Sequence, residues 1–313
     1  MKEFDLSSIK NKKTLLIGGT GFIGQHILSR LLDLGADVTV MALFLPGEYS
    51  GSLLDKCKLL KGDVTQPLNR KVISETNWNI VINVGGFINQ KNDQHADDEV
   101  VAGHFAHVRE LVSLLPRTIA RFVHAGSAVE YGNNPVPHRE DMRECPLTPY
   151  AAAKVACTHY LQMQNRSNGF PVVILRPFFI YGPGQDNAKF LPWLVDQAKN
   201  NKVISMTRGD QTKDPIYITD VAEAFIRASI VPDIDGEVIN VAGGEEITIK
   251  EIAQTVVDTT GQGKLNFGAI PYRAGEQMFS TADISKMRLK LGMPLPTKFS
   301  EAIKYIRQGV NRH

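Results

Sequence analysis

Tyr150 and Lys154 lie four residues apart in Pro149-Tyr150-Ala151-Ala152-Ala153-Lys154-Val155-Ala156, a spacing that stacks both side chains on one face of an alanine-rich helix. A free phenol ionises near pH ~10, and a neighbouring ammonium stabilises the phenolate. Such a pair can give or take a proton during carbonyl or alcohol chemistry, although the same spacing also fits a solvated helix face. Ser127 supplies a partner for that chemistry. It closes the apolar run Arg121-Phe122-Val123-His124-Ala125-Gly126-Ser127, which reads as a strand, and ligands of open α/β sheets bind outside the carboxyl ends of their strands. A hydroxyl at that place can hold a substrate oxygen or cap the next turn.

A third segment points to what binds beside these residues. Gly18-Gly19-Thr20-Gly21-Phe22-Ile23-Gly24 follows the strand-like Thr14-Leu15-Leu16-Ile17 and precedes the helix-periodic Gln25-His26-Ile27-Leu28-Ser29-Arg30-Leu31-Leu32. Without Cβ atoms at Gly18, Gly21 and Gly24 the chain can turn tightly and bring a pyrophosphate to the helix N-terminus. There the unpaired N–H groups and the positive dipole end face the anion.

The elements that must position these groups alternate along the chain. Strand signals at 38–41, 58–61, 80–84, 121–125 and 172–175 are separated by helical periods, the pattern of a parallel sheet covered on both faces. After Pro177 the spacing changes: Gly182-Pro183-Gly184 opens a loop, 190–200 reads as a helix, and short strands and helices follow from Ile247. Asp220, just ahead of Val221-Ala222, reads as a helix N-cap. The chain of 313 residues is 43% hydrophobic, enough for a large core and a smaller second one. A net charge of +2 with scattered lysines argues against a nucleic-acid surface. Cys57, Cys145 and Cys157 lack metal-ligand spacing and suit a reduced, cytoplasmic protein. His95, His104 and His107 form no recognisable metal pattern and read as solvated helix histidines. No apolar run suits a signal peptide or a membrane span, and Met1-Lys2-Glu3-Phe4-Asp5-Leu6 reads as a tail or short arm.

The succession GGTGFIG, HAGSAVEYG, YAAAK, LRPFFIYGPGQ and KDPIYITDVA resembles the extended short-chain dehydrogenase/reductase superfamily, in its sugar-nucleotide branch of epimerases, dehydratases and reductases. The likeness runs from about residue 13 to 292. It implies a doubly wound Rossmann domain over 1–176 plus 217–243, and a smaller, discontinuous α/β substrate domain over 177–216 plus 244–313. It implies Ser127, Tyr150 and Lys154 as the catalytic triad. The cofactor would then lie on Gly18, Gly21, Phe22, Ile23 and Gly24, with Asp63 and Val64 beside its adenine and with Tyr150 and Lys154 at its nicotinamide end.

Departures from that family pattern sharpen the expectation. Where many relatives end the second strand on an acidic residue that binds the ribose 2′-OH, Val38-Thr39-Val40-Met41 leads here to Ala42 and Leu43. Nothing at these two residues repels a 2′-phosphate, and Arg30 is a candidate to reach one, so the cofactor expectation is NADP(H) or NAD(H) with a lean to NADP(H). The dehydratases of the family usually carry an Asp-Glu pair after the catalytic hydroxyl; Ala128 and Val129 stand there, with the carboxylate at Glu130. Ser127-Ala128-Val129-Glu130-Tyr131-Gly132 is similar instead to ketoreductases of nucleotide-linked 4-keto-6-deoxy sugars. Phe179 replaces a frequent asparagine, which leaves the substrate diphosphate to Lys213 and Arg273. Ser127 and Glu130 would face the sugar, and Phe190 or Trp193 could stack on the base or pack as core aromatics.

The resulting expectation is a sugar-nucleotide reductase in which Tyr150 protonates the nascent alcohol, with a 4-epimerase as the alternative and a non-catalytic cofactor sensor as a more remote one. Val101, Phe105, Val108, Leu111, Val155 and Leu161, on helices expected over 97–115 and 150–164, would pair in the resembled family across a homodimer.

Overall fold

The computed structural model describes residues 4–43, 51–86, 94–273 and 276–308. Its main sheet contains β1 (Lys13–Ile17), β2 (Asp37–Ala42), β3 (Lys58–Lys61), β4 (Ile80–Asn83), β5 (Arg121–Ala125) and β6 (Val172–Pro177), all parallel, with Val238–Val241 as a seventh strand. The order across it is Val238–Val241, β6, β5, β4, β1, β2, β3. The central strands are mostly apolar because both faces are covered. Leu16, Val40, Ile82, Val123 and Leu175 enter one core, and Leu15, Ile17, Met41, Val81, Phe122 and Ile174 enter the other, as the period of two requires. β1 lies between β2 and β4, so the order of the strands reverses at its carboxyl end, where doubly wound sheets bind ligands.

Phe4 and Leu6 pack against the first of these cores, so the residues described near the N-terminus form a docked arm. A third core collects Tyr181, Leu194, Ile204, Tyr217, Ile252 and Phe299. It is enclosed by the helices Phe190–Lys199, Ile249–Thr260 and Phe299–Gln308. Beside it, Thr212–Lys213 pairs with both Ile247–Thr248 and Phe279–Ser280.

Two local expectations are corrected. The helix Ile218–Ala228 is capped at Tyr217, and Asp220 lies in its first turn, accepting the Thr297 N–H at 2.8 Å. The helix expected over 97–115 is Gln94–Val101 and His107–Leu114 joined by a π-helical turn at Ala102–Ala106. Among the described residues no helix is long and apolar enough to cross a membrane.

Candidate active site

The glycine turn is packed as its residue types demand. Gly18 has φ +80°, and a Cβ there would lie 2.8 Å from both N and Cα of Gly85 at the end of β4. A Cβ on Gly24 would run into the Gly18 carbonyl and sit 2.7 Å from the Gly19 Cα, so the first helix, Phe22–Asp33, rests directly on the turn. Gly21 differs: its Cβ would meet nothing closer than the Gly18 oxygen at 3.4 Å, and as N-cap it offers no side chain to the helix. The first-turn N–H groups are left for an anion, which fits the pyrophosphate of a dinucleotide.

A cavity of about 890 Å³ opens at this switch point, walled by Gly18 and Gly21, by Ala42 and Leu43 after β2, and by Asp63, Val64, Gly85 and Gly86. Phe22, Ile23 and Gly24 are not in its wall; Phe22 and Ile23 pack against the core beneath. Asp63 accepts the Thr65 N–H at 2.8 Å and its hydroxyl at 2.5 Å, which fixes the loop after β3. Arg30 does not face this cavity; its guanidinium meets Glu223 at 3.3 Å. Arg70, at the cavity wall, is paired with Glu110. Residues 44–50, where the second strand's continuation would be sought, lie outside the described residues.

Tyr150 and Lys154 begin the helix Pro149–Asn168, started by Pro149 and by the Thr148 hydroxyl, which accepts the Ala151 N–H at 3.1 Å. The expected stacking is present: Lys154 Nζ lies 5.8 Å from the Tyr150 ring centroid. Lys154 is buried and donates to the Ala125 carbonyl, at the end of β5, at 2.8 Å. Cys157, Thr158 and Leu161, further along the same helix, are fully buried, and this packing fixes how far the Tyr150–Lys154 turn projects.

Ser127 N-caps a short turn, Ala128–Tyr131, its Oγ accepting the Val129 N–H at 3.4 Å. A hydroxyl used as acceptor keeps its proton to donate. Glu130 is corrected: it does not face the sugar. It is fully buried behind Ser127, where Oε1 accepts the Ser127 N–H at 2.8 Å and Oε2 accepts from Thr158 Oγ1 at 2.9 Å and from Arg176 Nη2 at 2.7 Å. Arg176 reaches Glu144 at 2.6 Å and lies over the Tyr131 ring at 4.6 Å. Burial opposes its charge, but Glu130 beside it holds the guanidinium protonated above its ordinary range. This cluster makes the serine turn rigid.

The remaining substrate candidates divide. Lys213 Nζ donates to the Gln277 carbonyl at 3.0 Å, and Gln277 Nε2 donates to Gly132 O at 2.6 Å, so Gln277 ties Lys213 to the serine turn. Burial pushes the Lys213 ammonium pKa down. Gln277 went unnoticed because an isolated glutamine in a loop carries no local signal. Arg273 is exposed. Phe179 and Phe190 are partly buried against the third core, Phe190 with its ring 6.4 Å from Trp193.

The histidine expectation is also corrected. His104 is buried, and so is the His107 Nε2 atom, which has no hydrogen-bond partner among the described residues. His124 in β5 is fully buried, its Nδ1 3.3 Å from Asn83 Nδ2. Burial, aided by nearby Lys154, holds His124 well below the usual imidazole range and lowers His107 despite Asp63. The side chain of His95 lies outside the described residues.

The UDP-glucose 4-epimerase of Mycolicibacterium smegmatis is 28% identical over 308 residues, covering 93% of this chain and 96% of that one. The solved UDP-N-acetylglucosamine 4-epimerase of Methanobrevibacter ruminantium, in complex with UDP-N-acetylmuramic acid, superimposes with a TM-score of 0.85 at 25% identity over 96% of this chain and 98% of that one. The UDP-glucuronic acid 4-epimerase of Bacillus cereus, with UDP-glucuronic acid and NAD, shares the fold at a TM-score of 0.83 and 24% identity, over 95% of this chain and all of that one. Residues 14–242, from the first strand through the glycine turn and the Tyr150–Lys154 helix to the last strand of the sheet, match the model of the NAD dependent epimerase/dehydratase family, and the chain belongs to that family.

Proposed function

We propose that this protein is a nucleotide-sugar 4-epimerase that works with NAD(H). The carrying observation is Lys154, anchored on the Ala125 carbonyl two residues before Ser127 and 5.8 Å from the Tyr150 ring centroid, in a sheet whose switch-point cavity has a glycine mouth that suits a pyrophosphate. The reductase expected from Ser127–Gly132 drew on Glu130, and that carboxylate faces Arg176. The relatives named above are 4-epimerases, which favours the alternative reading. The NADP(H) lean rested on Ala42, Leu43 and Arg30; Arg30 is engaged by Glu223, and the Bacillus cereus enzyme of like fold carries NAD.

Bound nicotinamide dinucleotide supplies hydride exchange with C4 of the sugar. Tyr150 would take the C4 hydroxyl proton and later return it to the same oxygen. Ser127 donates to the same oxygen and fixes its place through both steps. Lys154, anchored on the Ala125 carbonyl, would bind the cofactor ribose. Gly18 and Gly21 would hold the pyrophosphate, with Gly24 seating the helix on the turn; Asp63 and Val64 would flank the adenine, and Lys213 with Arg273 would take the substrate diphosphate. Residues 1–176 with 217–243 act as the dinucleotide unit, and 177–216 with 244–313 as the substrate unit.

A homodimer through the helices Gln94–Leu114 and Pro149–Asn168 is part of this reading. Val108, Leu111 and Leu161 are buried within the subunit, so the contact would rest on Val101 and Met163, 46% and 39% exposed, with Phe105 and Val155. Light scattering should show a dimer that Val101→Glu dissociates; a monomeric wild type removes the assembly.

Incubating the purified protein with NAD+ and UDP-glucose or UDP-N-acetylglucosamine, and following the sugar by NMR, should show the C4 epimer without net reduced cofactor. Consumption of NADPH by a nucleotide 4-keto-6-deoxy sugar, with no epimerisation of either UDP-sugar, would restore the reductase.

A further inference from the structure

His104 stands between the cofactor cavity and the catalytic phenol. Its ring meets that of Tyr150 edge to face, centroids 5.1 Å apart at 71°, and is 3% exposed. On its other side is Gly86, in the cavity wall. Gly86 has φ +138°, and a Cβ there would overlap His104 Cε1 and come within 2.7 Å of its Nδ1. The imidazole therefore occupies space that only glycine at 86 leaves open.

The backbone that carries His104 is also special. It lies inside the π-helical turn Ala102–Ala106, where the His107 N–H reaches back to the Ala102 carbonyl. A π turn inserts one residue into a helix and recurs at functional sites. Ahead of it Val100 is buried, and behind it Val108 and Leu111 enter the sheet-facing core. Val100, His104 and Val108 share one inward face, with the imidazole as the polar member at the level of Tyr150.

We propose that His104 is a positioning residue for Tyr150: the π turn and the bare Gly86 aim its ring so that the phenol is held at one angle toward the substrate oxygen. This rests on Tyr150 as the proton-transfer residue of the proposed epimerase. An edge-to-face ring pair prefers a narrow range of orientations, and a proton donor misplaced by about 1 Å can lose two orders of magnitude in rate. Lys154 is separately fixed by the Ala125 carbonyl, so the residue paired with the phenol is itself held in place.

The test uses the full chain with His104→Ala and His104→Phe. With UDP-sugar and NAD+, His104→Ala should lose about ten- to hundredfold in kcat with KM nearly unchanged, and His104→Phe, which restores a ring edge, should recover most of it. In protein with 13C-labelled tyrosine, the ring signal absent from Tyr150→Phe identifies Tyr150; it should move or broaden in His104→Ala and return toward its native position in His104→Phe. Unchanged kcat in His104→Ala, or equal loss in both variants with KM raised, overturns the proposal. A native Tyr150 signal in His104→Ala also overturns it. If the wild type epimerises no nucleotide sugar, the functional reading fails, and the NMR comparison alone still decides whether His104 holds Tyr150.

Discussion

The cofactor mouth and the serine turn solve the same problem, a rigid wall beside a reacting centre, by opposite means. The mouth is made of backbone: Gly18 against Gly85, and Gly24 against Gly18 and Gly19. The serine turn is made of buried charge, with Glu130, Arg176, Thr158 and Glu144 linking four stretches of chain behind one N–H group. Backbone packing is local and tolerates no added atom. A buried ion cluster is assembled across the fold and tolerates no missing partner.

The largest effect expected is on chemistry alone. Tyr150→Phe should lower turnover by about two to four orders of magnitude while NAD+ still binds; cofactor fluorescence or calorimetry checks the second half. Next comes Glu130→Gln, which leaves Glu144 as the carboxylate still paired with Arg176. Removing one partner of a buried pair costs up to about 3–5 kcal/mol, less here because Glu144 remains, to be read from urea unfolding, and turnover should fall as the Ser127 N–H loses its charged acceptor. A variant as stable as wild type would mean the cluster is not what fixes the turn.

A pH effect follows from Asp214. Burial pushes its carboxyl up to about 6, against the backbone N–H groups of Gly244, Glu245 and Ala282 that it accepts. The folded state therefore holds this proton more tightly than the unfolded chain, whose value is 3.8. Its contribution to stability is fully present below 3.8 and is lost as pH rises through about 6, a swing of up to about 3 kcal/mol. Asp214→Asn should flatten that part of the stability curve between pH 4 and 7; an unchanged slope would place the titration elsewhere. The smallest effect separates ligand from packing. Because a Cβ on Gly21 meets only ordinary contact, Gly21→Ala should keep its melting temperature while NAD+ affinity drops about tenfold, the pyrophosphate having lost its close approach.

The same contrast explains what could be read from residues alone. β1, β2, β4, β5 and β6 announced themselves because a parallel strand buried on both faces is a mostly apolar run, and the glycine turn because its job is local. Tyr150 and Lys154 were legible from helical spacing. Glu130 was not: its guanidinium partner is Arg176, on β6, and nothing between them says that the carboxylate turns inward. Asp220 has the right type for a cap, yet its partner is the distant Thr297 N–H. His104 was read as solvated because a helical repeat does not reveal a π turn, and Gly86 shows its purpose only once the imidazole is beside it.

The most direct test of the central claim is to follow UDP-glucose carrying deuterium at C4 through the reaction with NAD+ in ordinary water. A proton handled by Tyr150 and a hydride lent and returned predict the C4 epimer with its deuterium retained and no net reduced cofactor. Deuterium lost to solvent, or no epimer at all, would contradict the account.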